Sequence, residues 1–425
     1  MILNSDLTLN TTNTGTLTLT GVISGTGGIT KTGTGTATVN GVSTTLNSYT
    51  GETSVSQGTL ILQTNHNASN SFAWASSAFN INGASILQIG GKRFDFGGWS
   101  PTKSINFDST GGGTLHLTVN GLGGFQNTGN LSINTNGGSQ NLITSASSQG
   151  LNLGGSGSKL TFNVVQGSNT TSDLNISSVI FNSGSIIKSG SGTLELSTNS
   201  NSMSGTTTIN GGKLLVSNTS GSATGSGAVI VANGGTLTGG GTTAGASGKI
   251  SGNVTVQSGG QIAPGNGTSV PGIINLGGNL TLNSGATASF QFNSASPGTG
   301  YSQINMTGGG SLNLGNSILE VKLAAGFTPS QSDVFTIINS GPGTSVFSNV
   351  VTDGNGRTYV SVYGIGEFDV TYGATSVQLS NYVVPEPTTL MTLGAAGLGL
   401  FHFARRRLRK ASRVGEGEQQ GTQAV

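Results

Sequence analysis

Catalysis needs ionisable or nucleophilic side chains held close together, and this chain offers few. Its 425 residues hold 14 acids, 16 bases, three histidines and no cysteine. Without cysteine there is no disulfide and no thiolate chemistry. A serine–histidine–aspartate site needs a histidine, and only His66, His116 and His402 exist. His402 lies in an apolar run near the C-terminus. His116 alternates outward with threonine in "GTLHLTV", which reads as an exposed strand position. Three scattered histidines and no thiolate also argue against a transition-metal site. Glycoside hydrolysis requires two carboxylates at a set separation. Asp6, Glu52, Asp95, Asp108, Asp173 and Glu195 are scattered, so only stacking of distant segments could pair them; Asp95 and Asp108 could then share a groove. Glycine runs such as "GTGG" and "GSGSG" lack the lysine–threonine pair of a phosphate loop and the aspartate of a calcium-binding β-roll. No catalytic residue, metal site or cofactor is expected.

The richest local cluster is "KRFDFGGW", residues 92–99. Trp99, Phe94 and Phe96 could stack on sugar rings while Lys92, Arg93 and Asp95 bond to hydroxyls. Strand alternation puts Phe94 and Phe96 on one face and Arg93 and Asp95 on the other. The competing reading, which we prefer, has the aromatic rings filling the core of a wide coil.

The elements that would position these residues are short strands. Glycine contributes 74 residues, while only 7% of residues are charged and 6% aromatic. Disorder would also need few β-branched residues and a high net charge. Here Val, Ile, Leu and Thr come in alternating bursts bounded by glycine, as in "GTLTLTG" and "GNLTLNSG", the pattern of half-buried strands. The net charge of +2 is set by the tail, because six basic and two acidic residues follow Ala404. The body therefore carries no basic stripe, and a nucleic-acid partner is excluded.

The bursts repeat. Residues 28–62 align with 185–216: Lys31 falls on Lys188, Gly35 on Gly192 and Val39 on Leu196, and then Gly51, Gly58 and Leu60 fall on Gly205, Gly212 and Leu214. A simpler pattern follows, "VIVANGGTL" from Val229, "VTVQSGGQI" from Val254 and "LTLNSGATA" from Leu280, at spacings of 25 and 26 residues. A unit of this length cannot bury its apolar face alone but can do so by stacking on its neighbours. Like strands then lie about 4.8 Å apart. Val229, Val231 and Leu237 should point inward over Val254, Val256 and Ile262. Glycines in "NGG" and "SGG" permit tight corners, and asparagines can ladder from one coil to the next. About a dozen coils over residues 1–295 would make a rod roughly 55–60 Å long.

These units resemble the autotransporter-associated β-strand repeat. The likeness rests on "TKTGTGT", "SYTGETSV" and "QGTLIL" in 28–62 and on 185–216, where Met203 replaces the tyrosine; "GQIAPGNG" (260–267) resembles passenger-domain sequence. The resemblance implies a right-handed parallel β-helix, a shape shared by adhesins, structural surface proteins and some polysaccharide-cleaving enzymes. Residues 66–182 are read as irregular coils of the same helix. Residues 296–382 differ, because "VVTDGNGRTYVSVY" and "GEFDVTYGATSVQLS" each place a turn between alternating runs. They are expected to form an antiparallel cap over the solenoid's open end.

The last segment has its own chemistry. Thr388 to Ala404 is free of formal charge, and as a helix it would span about 25 Å, at the lower edge of what crosses a bilayer. Pro387 suits a helix start. Arg405, Arg406, Arg407, Arg409 and Lys410 follow and place that end in the cytoplasm. Val384-Pro385-Glu386-Pro387, the apolar run and the basic cluster together resemble a PEP-CTERM sorting signal. The resemblance implies export in a Gram-negative bacterium, an inner-membrane-anchored intermediate, and processing near Pro385–Pro387 by an exosortase, a membrane protease-transpeptidase. Delivery to the cell surface or an exopolysaccharide matrix follows. Residues 411–425 would be a disordered cytoplasmic tail. Such proteins need an N-terminal export signal, yet "MILNSDLTLNTTNTG" has no basic or apolar leader region; the chain is read as starting late.

The expectation is an all-β protein: a right-handed parallel β-helix, an antiparallel cap and one C-terminal transmembrane helix. Its function is structural and non-enzymatic, with exopolysaccharide or other surface glycans as partners. An adhesin with a specific receptor and a polysaccharide lyase or hydrolase remain the alternatives.

Overall fold

The computed structural model describes residues 1–384, apart from segments 42–46, 65–75, 92–93, 97–102, 120–124, 128–129, 147–149, 169–171, 200, 241–245, 343 and 363–364. Among the described residues all regular structure is β-strand, and no helix is long and apolar enough to cross a membrane.

The chain coils into a parallel β-solenoid with three faces. Two faces are 13-stranded ladders, one running from Leu7–Asn10 to Leu312–Asn313 and the other from Thr16–Thr20 to Ile318–Leu323. Twelve spacings of about 4.8 Å give a stack near 58 Å long. The third face is assembled from shorter sheets. The stretch 66–182 joins the same ladders, through strands such as Lys103–Phe107 and Lys159–Val164.

Alternation dictates the interior. Val229 pairs with Val254 and Val254 with Leu280, while Val231 pairs with Val256 and Leu237 with Ile262. All of these side chains are buried, and the outward residues between them on the first ladder, Ile230 and Thr255, are half-buried. Each buried Val, Leu or Ile contributes about 1.5–3 kcal/mol against the ordering entropy of the coil. On the outer face of the first ladder, amides stack in register. Asn106 donates to the Oδ1 of Asn80 at 2.9 Å and accepts from Asn134 at 2.8 Å, and Asn80 donates to Glu52 at 2.8 Å.

Parallel pairing continues past residue 295. Gln303–Met306 and Ile318–Leu323 stack on the coils before them, and the antiparallel part begins where Val334–Asn339 meets Val377–Val383. The extra coil had no visible repeat because the loop between Phe292 and Gln303 breaks the spacing. The two hairpins read from alternation are present: Val351–Thr352 with Thr358–Val362, and Gly366–Tyr372 with Val377–Val383. The cap sheet extends the third face, and its core is aromatic. Phe335 meets Phe292 edge-on at 5.0 Å, Tyr301 at 5.2 Å and Phe368 at 5.8 Å. Coil and cap thus share one interior.

Candidate functional site

The last strand of the cap carries the chain out of the fold. Val377–Val383 lies between Val334–Asn339 and Gly366–Tyr372, antiparallel to both; as far as Ser380 it is paired on two sides, and from Asn381 to Val383 it follows Gly366–Tyr372. Asp369 faces Ser380 while Glu367 faces Val383, two steps on one strand against three on the other. The extra residue forms a bulge, and Asn381 takes φ 48°, a left-handed conformation that asparagine tolerates.

Side chains lock this bulge. Asn381 Nδ2 donates to Asp369 Oδ2 at 2.8 Å. Arg357 donates through Nε to the other oxygen of Asp369 and through Nη1 to Glu367 at 2.9 Å. Its guanidinium also lies over the Tyr359 ring, 5.0 Å from the centroid. Burial opposes the charge on Arg357, but Asp369 and Glu367 outweigh it and hold the guanidinium above its ordinary pKa. Tyr382, next along the strand, is buried; its hydroxyl donates to the Ile365 carbonyl at 3.1 Å and its ring lies 4.8 Å from Phe368. Gly366 makes room for it, because a Cβ there would meet the tyrosine hydroxyl at 2.5 Å. Beyond Val383 the chain emerges, and Val384 is 55% exposed.

Val384 is thus at the exit of the cap. Pro385, Glu386 and Pro387, the apolar run at 388–404, and Arg405, Arg406, Arg407, Arg409 and Lys410 lie outside the described residues, as does the tail at 411–425. Trp99 and Arg93 also lie outside them. Asp95 sits in the strand Phe94–Phe96, paired with Phe125–Asn127 on the third face; its side chain is outside the described set.

The described carboxylates of the coils tie the structure together. Asp108 accepts from the backbone N–H groups of Gly83, Thr110 and Gly111, and Asp6 from that of Gly28. Asp173 is buried and accepts from Gly167 and Thr193, both at 2.7 Å. Glu195 is held by the hydroxyls of Ser172 and Ser217. His116 shares a 2.7 Å hydrogen bond with Thr144 on the next coil. Among the described residues no group of three potential metal ligands converges.

Sequence reasoning missed the role of two lysines. Lys31 and Lys188, equivalent in the two repeats, are fully buried. Lys31 Nζ donates to the carbonyls of Thr32, Gly33 and Gln57; Lys188 Nζ donates to those of Ser189, Gly190 and Gly211. Two acceptors lie in the lysine's own turn and the third in the next coil. Gly33 and Gly190 make this turn, at φ 71° and 76°. Burial lowers the pKa of both lysines, that of Lys188 to about 8 despite the opposing field of Asp173. The signal was present: in "ITKT", Lys31 has the inward parity of Ile29.

A capped parallel β-solenoid of stacked coils is a repeat protein, and here the sequence after its last strand is an apolar segment with a basic flank. Family comparison agrees. Residues 29–62 and 186–216 match the passenger-associated-transport-repeat, and residues 383–410 match the PEP-CTERM protein-sorting motif. The chain therefore carries autotransporter-associated repeats and a PEP-CTERM signal, which marks it for export and surface sorting in a Gram-negative bacterium. Among curated proteins no sequence matches it.

Proposed function

We propose that the chain is a non-enzymatic structural protein of the cell surface or extracellular matrix. In this reading it winds right-handed, is held in the inner membrane by a helix at about residues 388–404, and is released by an exosortase acting near Pro385–Pro387. The carrying observation is the start of the sorting motif at Val383, the final paired residue of the cap. The motif thus begins in the cap and not among the coils, which suits an anchor that leaves the stacked core undisturbed. The engagement of Asp6, Asp108, Asp173 and Glu195 in ties between or within coils supports a mechanical role.

The outer surface supports exopolysaccharide as partner. In register up the first ladder stand Thr8, Thr30, Ser54, Asn80, Asn106 and Asn134, a column of uncharged hydroxyls and amides. Such a column suits many weak contacts with hydrated glycan, whose sum gives useful avidity.

The test is expression from the protein's own gene in a Gram-negative host with and without an exosortase. With the enzyme, a shortened species reachable by external protease is expected; without it, a full-length species in the inner-membrane fraction. A full-length, protease-protected protein in both hosts would overturn the sorting reading. Sedimentation of the shortened species with purified exopolysaccharide, without release of new reducing or unsaturated ends, tests the rest.

A further inference from the structure

The processing reaction proposed above meets an obstacle that the cap itself creates. A protease must hold the bond it cuts in one attacking geometry, and it grips an extended peptide largely through main-chain hydrogen bonds. The residues leading to Pro385 are held by the cap along one edge, on the side of Gly366–Tyr372. Val383 faces Glu367 in the sheet, Asn381 is pinned to Asp369, and Tyr382 is buried against Phe368. Only Val384 separates the last paired residue from Pro385.

We propose that Asn381, Asp369 and Arg357 are positioning residues that restrain processing, by holding Asn381–Val383 in the sheet until the enzyme peels them away. Arg357 is the outer support. It bridges Glu367 and Asp369, the two residues that face the departing strand on either side of the bulge. Asp369 passes that support to Asn381 through its second oxygen. The shortening rate then reports how readily three residues unpair. The inference rests on exosortase processing but adds what that reading lacks, a set of residues in the rod that govern its rate.

The experiment is a pulse–chase of chain shortening in the exosortase-bearing host, using the full gene. Asp369→Ala frees Asn381, leaves Arg357 joined to Glu367 alone, and is expected to shorten several-fold faster than wild type. Asn381→Gly, which keeps the left-handed bend and loses the amide bond, should shift the rate in the same direction. The double variant Glu367→Cys/Val383→Cys places two thiols on facing residues, where an exported protein can form a disulfide. Oxidised, it is expected to stay full length; reduced, it should shorten at least as fast as wild type in the same reductant. A cooperative urea-unfolding transition of the purified protein confirms that each variant folds. Shortening of the oxidised variant at the wild-type rate, or an unchanged rate in folded Asp369→Ala, would overturn the restraint alone. A wild type that never shortens would overturn the processing reading and the restraint with it.

Discussion

The buried amine of Lys188 donates to the carbonyl oxygen of Gly211, one coil further on, at 3.0 Å. Lys31 makes the matching bond to Gln57. In both repeats a positive charge inside the wall joins neighbouring coils at the turn that follows the lysine's own strand.

Replacing Lys188 by methionine keeps most of the volume and leaves three carbonyls without their donor. The expected cost is about 1–3 kcal/mol, the usual penalty for orphaned buried acceptors. Urea unfolding of the variant should show a lower midpoint at unchanged slope.

The same lysine makes stability depend on pH. Its folded pKa, about 8, lies below the ordinary 10.5, so between these values the unfolded chain holds a proton that the native chain has released. Stability then rises with pH across that window, and the contribution is lost as pH falls through 8. The urea midpoint of wild type minus that of Lys188→Met should increase from pH 7.5 to 10; a flat difference would contradict the assignment.

Asn106→Ala removes two amide–amide bonds from the outer ladder. Half-buried neutral bonds of this kind contribute about 0.5–1.5 kcal/mol each. Coupling should appear in a double-mutant cycle with Asn134→Ala, because the two side chains share a bond at 2.8 Å. Strict additivity would show the ladder to be decoration.

Phe335→Ala removes a fully buried ring that touches rings from both the last coils and the cap. A loss of about 3–5 kcal/mol is expected. The variant's cap should become sensitive to limited proteolysis before the rod does.

Much of this protein is legible in its amino acids. The inward set from Val229 to Leu282 follows from alternation and a 25–26-residue spacing, because each coil meets only its neighbours and local pattern is enough. The hairpins of the cap and the composition of the sorting segment are local in the same sense. The place of Lys31 was harder to see, since lysine is normally a surface residue and its burial depends on acceptors supplied by Gly33 and by Gln57 of the following coil.

Local order therefore decided that the chain would coil, which side chains would face inward, and that the molecule would carry a delivery signal. Tertiary structure decided where the coils give way to antiparallel pairing, and that the signal would begin at the last paired residue. Asp369 and Asn381 lie on separate strands and Arg357 in the turn before Thr358–Val362, and only the register of the cap sheet brings them together. Non-local register depends on how whole strands pack, so no stretch of the chain read alone contains it.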